Sequence, residues 1–180
     1  MTFDELIITR RSVRQYKEEK VEKNKIEALV DAAIWAPTAG NLQLWHFVVI
    51  QDEKILNKIK LFSPGMPKTA HCAIVICVDL VDAEARGGVL IRKNAPVDIA
   101  FAAQNILLKA HEMGLGTCVV KSFNEKSVGQ IIKLPSEVTA LMLVTIGYYE
   151  ISPKAPVRKS IFEVIHYESW DNEGKTNEQK

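Results

Sequence analysis

Three arginines and a serine crowd into the run RRSVRQY, Arg10 to Tyr16, of a 180-residue chain whose net charge is only +1. A guanidinium is a planar fork of N–H donors that matches the oxygens of a phosphate, and a serine hydroxyl adds one more donor. Arg10, Arg11, Ser12 and Arg14 therefore form a candidate anion site. Each charge-assisted hydrogen bond there contributes about 1.5–3 kcal/mol when shielded from water. The competing reading is a solvated basic edge paired with Glu18, Glu19 or Glu22, where each exposed pair contributes little. Arg158, beside Lys159 and just after the stretch SPKAP, is a second place where a guanidinium is held on a stiffened segment.

Two further stretches offer neutral chemistry. In APTAGNLQLWHF, Pro37, Thr38 and Gly40 are turn formers, while Asn41 and Gln43 carry amides. Such a loop of small residues, with Ala39 among them, suits a flat polar heterocycle approached edge-on. In GLGTCVVKSF, the strand end from Val119 to Ser122 would offer backbone N–H groups to a ligand. This stretch is not G-x-G-x-x-G, and no G-K-[ST] occurs, so neither a Rossmann dinucleotide site nor a P-loop is supported.

Basic and acidic side chains nearly balance, 23 against 22, which argues against a nucleic-acid or membrane surface and makes the arginine cluster local. No apolar run reaches the length of a membrane span. The opening MTFDELIITRR places acids where a signal peptide carries bases, so a cytoplasmic protein is expected. Cys72, Cys77 and Cys118 lie in apolar runs and read as small buried hydrophobes of a reducing compartment. The four histidines are scattered, and no metal site is expected.

These groups need elements to position them. Thr2 with Glu5 resembles a capping box, and Phe3, Leu6 and Ile7 share one helical face, so a first helix ends near Arg10 or Arg11. SVRQY reads as extended, with Ser12, Arg14 and Tyr16 to one side. Asn24 with Glu27 marks a second helix that stops before Pro37. Next come strand WHFVVI, a helix capped by Asp52, loop SPGMP and strand AHCAIVICV, which is apolar on both faces. EARGG reads as a turn. A buried central helix from Val97 to Met113 follows, capped by Gly114. Strand LGTCVV, a helix closed by Pro135 and strand TALMLVTIGYY complete a sheet with helices on both faces. The apolar Ile161, Phe162, Val164 and Ile165 lack an obvious partner, and residues 171–180 read as a disordered tail after a single domain over 1–170.

Taken in order, these stretches resemble the FMN-dependent nitroreductase family over about Phe3 to Tyr167. The R-R-S-x-R-x-[FY] pattern is present at Arg10–Tyr16, and A-P-[ST]-x-x-N-x-Q-x-W at Ala36–Trp45. The central helix with G-L-G-T-C follows, then I-G-Y, a proline-rich stretch and Arg158-Lys159. The resemblance implies an α+β, three-layer α/β/α fold with a central mixed sheet, assembled as an intertwined homodimer with a swapped C-terminal extension. It implies that the anion is the 5′-phosphate of FMN, held by Arg10, Ser12, Arg14 and Arg158 with Arg11 nearby. Pro37, Thr38, Ala39 and Asn41 would reach the flavin of the partner's site. The backbone of Val120, Lys121 and Ser122 would face flavin N5. No catalytic side chain is implied, because the flavin does the chemistry: NADH or NADPH gives hydride, and a nitroaromatic, quinone or similar acceptor takes it in a ping-pong exchange.

Departures from the family pattern bear on the side chains near N5. A Glu-Gly pair common in larger relatives is replaced by Lys121-Ser122, and Leu44 stands where proline is usual. The span between Asp79 and Val97 is too short for a long substrate lid, so an open site is expected, with SPGMP (Ser63 to Pro67) near the flavin's pyrimidine. The alternatives are a flavin-cleaving or dehalogenating enzyme on the same scaffold, a non-catalytic flavin-binding module, and an RNA-binding domain using Arg10 to Arg14.

Overall fold

Local sequence signals set most of the element boundaries. In a computed structural model of the chain, which describes residues 1–170, helix α1 (Phe3–Thr9) begins with a complete capping box: Thr2 N–H donates to Glu5 at 2.7 Å and Glu5 N–H to Thr2 Oγ1 at 3.2 Å. Asp52 caps α3 (Glu53–Leu61) by accepting from Ile55 N–H, and Asn124 caps α5 (Glu125–Ile131) by accepting from Ser127 N–H. Helix α2 (Lys23–Ile34) departs from expectation. It starts ahead of Asn24, at a Glu22 cap whose side chain bonds no helix N–H. Its stability comes from burying Ile26, Leu29 and Ala33, not from a capping side chain.

Four strands, β1 (Trp45–Ile50), β2 (Ala73–Asp79), β3 (Gly116–Val120) and β4 (Val138–Gly147), form one sheet in the order β1-β2-β4-β3. All three pairings are antiparallel, so the expected mixed sheet is corrected. Among the described residues, the one parallel pairing is an isolated bridge between Ser12 and Thr117. The order follows from the connections. One helical excursion carries the chain from β2 to β3 at the sheet edge, and a second returns it from β3 to β4, which fills the place between them.

The alternation of β2 explains why its sequence is apolar throughout. Ile74, Ile76 and Val78 join one core with α2 and with α4 (Leu80–Glu112), whereas Ala73, Val75 and Cys77 join another with α3 and α5. A bulge marks the strand. Ile76 pairs with Met142 and Cys77 with Ala140, leaving Leu141 as the extra residue. Cys72 and Cys77 lie wholly inside, and burial pushes both thiols up to about 12, as expected of inert small hydrophobes. No helix of the described residues is long and apolar enough to cross a membrane.

Two sequence expectations are overturned by packing. EARGG is not a turn between elements but part of α4, which kinks at Gly88 (φ 74°, ψ −175°). That conformation is open to glycine almost alone, so helix continues on both sides of one distorted residue. In SVRQY, Ser12, Arg14 and Tyr16 do not share a side. Val13 and Tyr16 are buried together while Arg14 is exposed, because the chain pairs with β3 only at Ser12 and is otherwise irregular.

Candidate functional site

The run from Arg10 to Arg14 is fixed to the sheet edge by its own backbone. Val13 N–H donates to the Thr117 carbonyl at 2.8 Å, and Tyr16 N–H to Thr69 Oγ1 at 3.0 Å. Tyr16 anchors the far end from inside. Its hydroxyl donates to the Val13 carbonyl at 2.8 Å and shares a hydrogen bond with Thr145 Oγ1 at 2.8 Å, and burial raises its pKa well above the ordinary phenol value. Two glycines opposite each other on β3 and β4, Gly116 and Gly147, form the floor beneath. A Cβ on Gly116 would come within 2.7 Å of Val13 Cγ2, and one on Gly147 within 2.9 Å of Tyr16 Cδ1. The segment can lie this close to the sheet because the floor carries no side chains.

Held this way, the segment gathers positive charge. Arg10, Arg11, Arg14, Lys154 and Arg158, with Ser12, line one cavity of about 310 Å³. Among the described residues, none of the five cations takes part in an ion pair. Glu22, a candidate partner in the solvated-edge reading, is instead engaged by Lys25 at 3.4 Å and accepts from the Tyr148 hydroxyl at 2.7 Å. The cations press on one another: burial first, then the charges of Arg11 and Arg158, lower the pKa of Arg10. The guanidinium of Arg11 is committed to the carbonyls of Ile8 and Arg10, each at 2.7 Å, so it closes the C-terminus of α1 and leaves Arg10, Arg14, Lys154 and Arg158 for an anion.

Lys154 was not singled out in the sequence. The available signal was its place between Pro153 and Pro156, which fix φ on either side and stiffen the segment that also carries Arg158.

The same edge leads on to the predicted ring-contacting strand end. The carbonyl of Thr117 accepts from Val13, so it faces away from β4, and strand alternation turns the backbone of Val119 to the same open side; Lys121 follows directly after the end of β3, where its carbonyl accepts from Phe123 N–H at 3.1 Å. At about 3.3 Å per residue, Lys121 stands about 13 Å along the edge from Thr117, a span that suits an extended ligand whose anion lies among the arginines. The Lys121 side chain turns elsewhere, donating to the Leu141 carbonyl at 2.6 Å and pairing with Glu125 at 3.0 Å. The SPGMP loop abuts this strand end: a Cβ on Gly65 would fall 2.0 Å from Ser122 Oγ and 3.6 Å from Val120 Cγ1. Ser63, in the same loop, buries a hydroxyl that has no hydrogen-bond partner among the described residues.

Pro37, Thr38, Ala39 and Asn41 do not line the cation cavity. Ala39 and Asn41 belong to a short 3₁₀ turn (Ala39–Asn41), with Pro37 and Thr38 leading into it; the turn is tied to α4, where the buried Asp98 carboxylate accepts from Ala39 N–H at 3.2 Å. Asn41 and Gln43 both hold positive φ, 54° and 53°, a strained backbone of the kind that recurs where a loop meets a ligand.

A flavin phosphate fits this arrangement. A phosphate monoester carries nearly two charges and several acceptor oxygens, and the cavity offers a hydroxyl and several cations with no carboxylate among the described residues that line it.

Comparison with known proteins points the same way. A model of the Nitroreductase family matches residues 7–64 and 59–148. A Methanothermobacter thermautotrophicus protein whose name pairs NADH dehydrogenase with NAD(P)H nitroreductase is 31% identical over 174 residues, covering 92% of this chain and 86% of that one. Solved structures from Clostridium difficile superpose closely. A nitroreductase family protein of strain 630 gives a TM-score of 0.82 at 29% identity, covering 94% of this chain and 99% of that one. An FMN-dependent nitroreductase of strain R20291 gives 0.80 at 27% identity, covering 93% and 100%.

Proposed function

Because the chain belongs to the nitroreductase family, we propose that it is an FMN-dependent oxidoreductase that takes electrons from NADH or NADPH and delivers them to nitroaromatic, quinone or similar electron-poor acceptors. The observation that carries this reading is the carboxylate-free cavity of five cations at the start of an open strand edge. FMN, when bound, supplies the two-electron chemistry between nicotinamide and acceptor.

The residues of the chain bind and orient. Arg10, Ser12, Arg14, Lys154 and Arg158 hold the phosphate, and Arg11 keeps α1 closed beside them. The backbone at Val120, Lys121 and Ser122 supplies the N–H that meets the ring, a reading supported by its place at the end of β3. Ser122 and the SPGMP loop form the wall beyond it. Pro37, Thr38, Ala39 and Asn41 serve the flavin of a partner subunit in a homodimer, which accounts for their separation from the cations of their own chain. The reading calls for no side-chain proton donor near Lys121, so the protein's part is binding and positioning.

The purified protein is expected to be yellow and to release FMN on denaturation. It should consume NADH or NADPH only when menadione or nitrofurazone is present. Arg14→Ala should weaken FMN binding roughly 10- to 100-fold, the loss of one charge-assisted contact, with little change in thermal midpoint. Equal flavin occupancy in wild type and variant contradicts the phosphate assignment. Bound flavin that no nicotinamide reduces points to a binding module instead.

A further inference from the structure

Strand β3 stops at Val120, and the next side chain holds the strand end in place. The Lys121 ammonium donates to the Leu141 carbonyl at 2.6 Å, pairs with the Glu125 carboxylate at 3.0 Å and stands 5.7 Å from the centroid of the Phe123 ring. These partners belong to different parts of the molecule. Leu141 is the extra residue of the β4 bulge, Glu125 opens α5, and Phe123 lies in the link between β3 and that helix. Pairing of β3 with β4 ends at Val120–Leu143, so the backbone of Lys121 and Ser122 lies outside the ladder. The Lys121 side chain crosses to β4 beyond that last pair and joins the two again at the bulge.

We propose that Lys121 is a positioning residue for the cofactor: its ammonium, by tying the strand end to the β4 bulge, fixes the direction of the backbone N–H that meets the flavin ring; this rests on the flavin reading above. The exposed pair with Glu125 is of the ordinary surface kind, which contributes little. The bond to the Leu141 carbonyl is different, because it is charge-assisted and partly buried. The link beyond is held as well. Phe123 N–H donates to the Lys121 carbonyl at 3.1 Å, and Asn124 N–H to the Phe62 carbonyl at 2.9 Å, so Ser122 lies between fixed points. The SPGMP loop closes on the same residue, with Gly65 so near that a Cβ would fall 2.0 Å from Ser122 Oγ. A hydrogen bond weakens steeply as its donor turns off line, so a strand end freed from the bulge would aim its N–H poorly.

The test compares wild type with Lys121→Met, Lys121→Arg and Lys126→Met. Amide hydrogen exchange is followed by NMR with FMN saturating, and FMN affinity by fluorescence titration. Lys121→Met keeps an apolar stem but removes the ammonium. Exchange of the Phe123 and Asn124 amides should rise about tenfold, exchange in β2 should be unchanged, and the FMN dissociation constant should rise about tenfold. Lys121→Arg keeps a charged donor for the Leu141 carbonyl and should return both readouts to within about threefold of wild type. Lys126→Met removes a charge from α5 outside the tie and should move neither. Unchanged exchange at Phe123 and Asn124 in Lys121→Met overturns the proposal: a loss of FMN affinity without it would make the ammonium a direct electrostatic contact. Faster exchange with unchanged FMN affinity overturns it too, as does exchange raised equally in β2, which marks a general loss of stability. A wild type that binds no FMN overturns the flavin reading and the proposal with it, an outcome visible without any variant.

Discussion

Arg10 and Arg11 are adjacent in the chain but carry different tasks. Arg11 turns back onto the end of α1, while Arg10 faces the cavity with Arg158. His111, in the last turn of α4, shares this crowding. Its Nε2 stands 2.8 Å from Thr9 Oγ1, and the Thr9 hydroxyl also donates to the Glu5 carbonyl, so the imidazole is the donor of the pair. Burial first, then the charges of Arg10 and Arg11, lower the pKa of His111. A histidine that binds its proton less readily folded than unfolded stabilises the fold fully above its free pKa of about 6.5, and that stability is lost as pH falls below it. The thermal midpoint of the flavin-free protein should therefore drop between about pH 7 and about pH 5, and His111→Gln should flatten that limb. A variant with the same acid limb as wild type would assign the loss to other groups. The arginine cluster was legible in the sequence because its members are nearly consecutive. Lys154 and Asp98 were not: a lysine between prolines reads the same whether solvated or aimed at an anion, and the Asp98–Ala39 tie joins positions far apart in the chain.

At the scale of elements, the strands and two helix caps were legible because apolar patterning, Thr2 and Asp52 act within a few residues of what they fix, whereas the Asn124 cap was not singled out. The kink of α4 was not legible. Glycine signals a turn and a helix distortion with the same letter, and only packing of the two arms chooses between them. The side to which SVRQY presents its residues was likewise set by tertiary contact, since Val13 and Tyr16 drop onto a floor that two glycines leave bare. That floor makes a further prediction. Gly116→Ala would place a methyl 2.8 Å from Val13 Cβ, an atom close to the backbone that cannot simply rotate away. Overpacking of this kind costs about 1–3 kcal/mol. Its first consequence should be displacement of the segment that carries Arg10, Ser12 and Arg14. Gly116→Ala is thus expected to lower both the thermal midpoint and FMN affinity. The contrasting Gly129→Ala, inside α5 with Leu134 Cδ1 as its nearest neighbour at 3.6 Å, should leave FMN affinity unchanged and raise rather than lower the thermal midpoint, since alanine favours helix over glycine. Tight FMN binding by Gly116→Ala would show that the segment adapts without the bare floor.

The molecule as a whole leaves apolar surface that one chain does not cover. Phe3, Ile7 and Ile8 on α1, Trp35 at the end of α2, and Val97 and Phe101 on α4 are all exposed, and so are Ile161, Phe162 and Val164 beyond the sheet. Scattered exposed apolar residues are ordinary. Here α1 and α2 both pack on α4, and Leu6, Ala32 and Trp35 border one shallow depression with Asn105 and Leu108, so the apolar positions lie on neighbouring elements. Surfaces of this kind mark an association site, and the turn that starts at Pro37 follows Trp35 by two residues. A second copy on this face would therefore cover the exposed helices and bring Pro37 to Asn41 against a site in the other chain. Sedimentation velocity should find a dimer for the wild type. The double variant Trp35→Glu, Phe101→Glu should be monomeric, because two carboxylates would have to be buried unpaired in the interface. Both side chains are exposed in the single chain, so the fold should survive, as read by far-ultraviolet circular dichroism. FMN retention should fall in step with dissociation, because the monomer keeps every cation of the phosphate cavity but lacks the loop supplied in trans. A monomeric wild type carrying one tightly bound FMN per chain would defeat this account, since it would leave Pro37 to Asn41 with no flavin to meet.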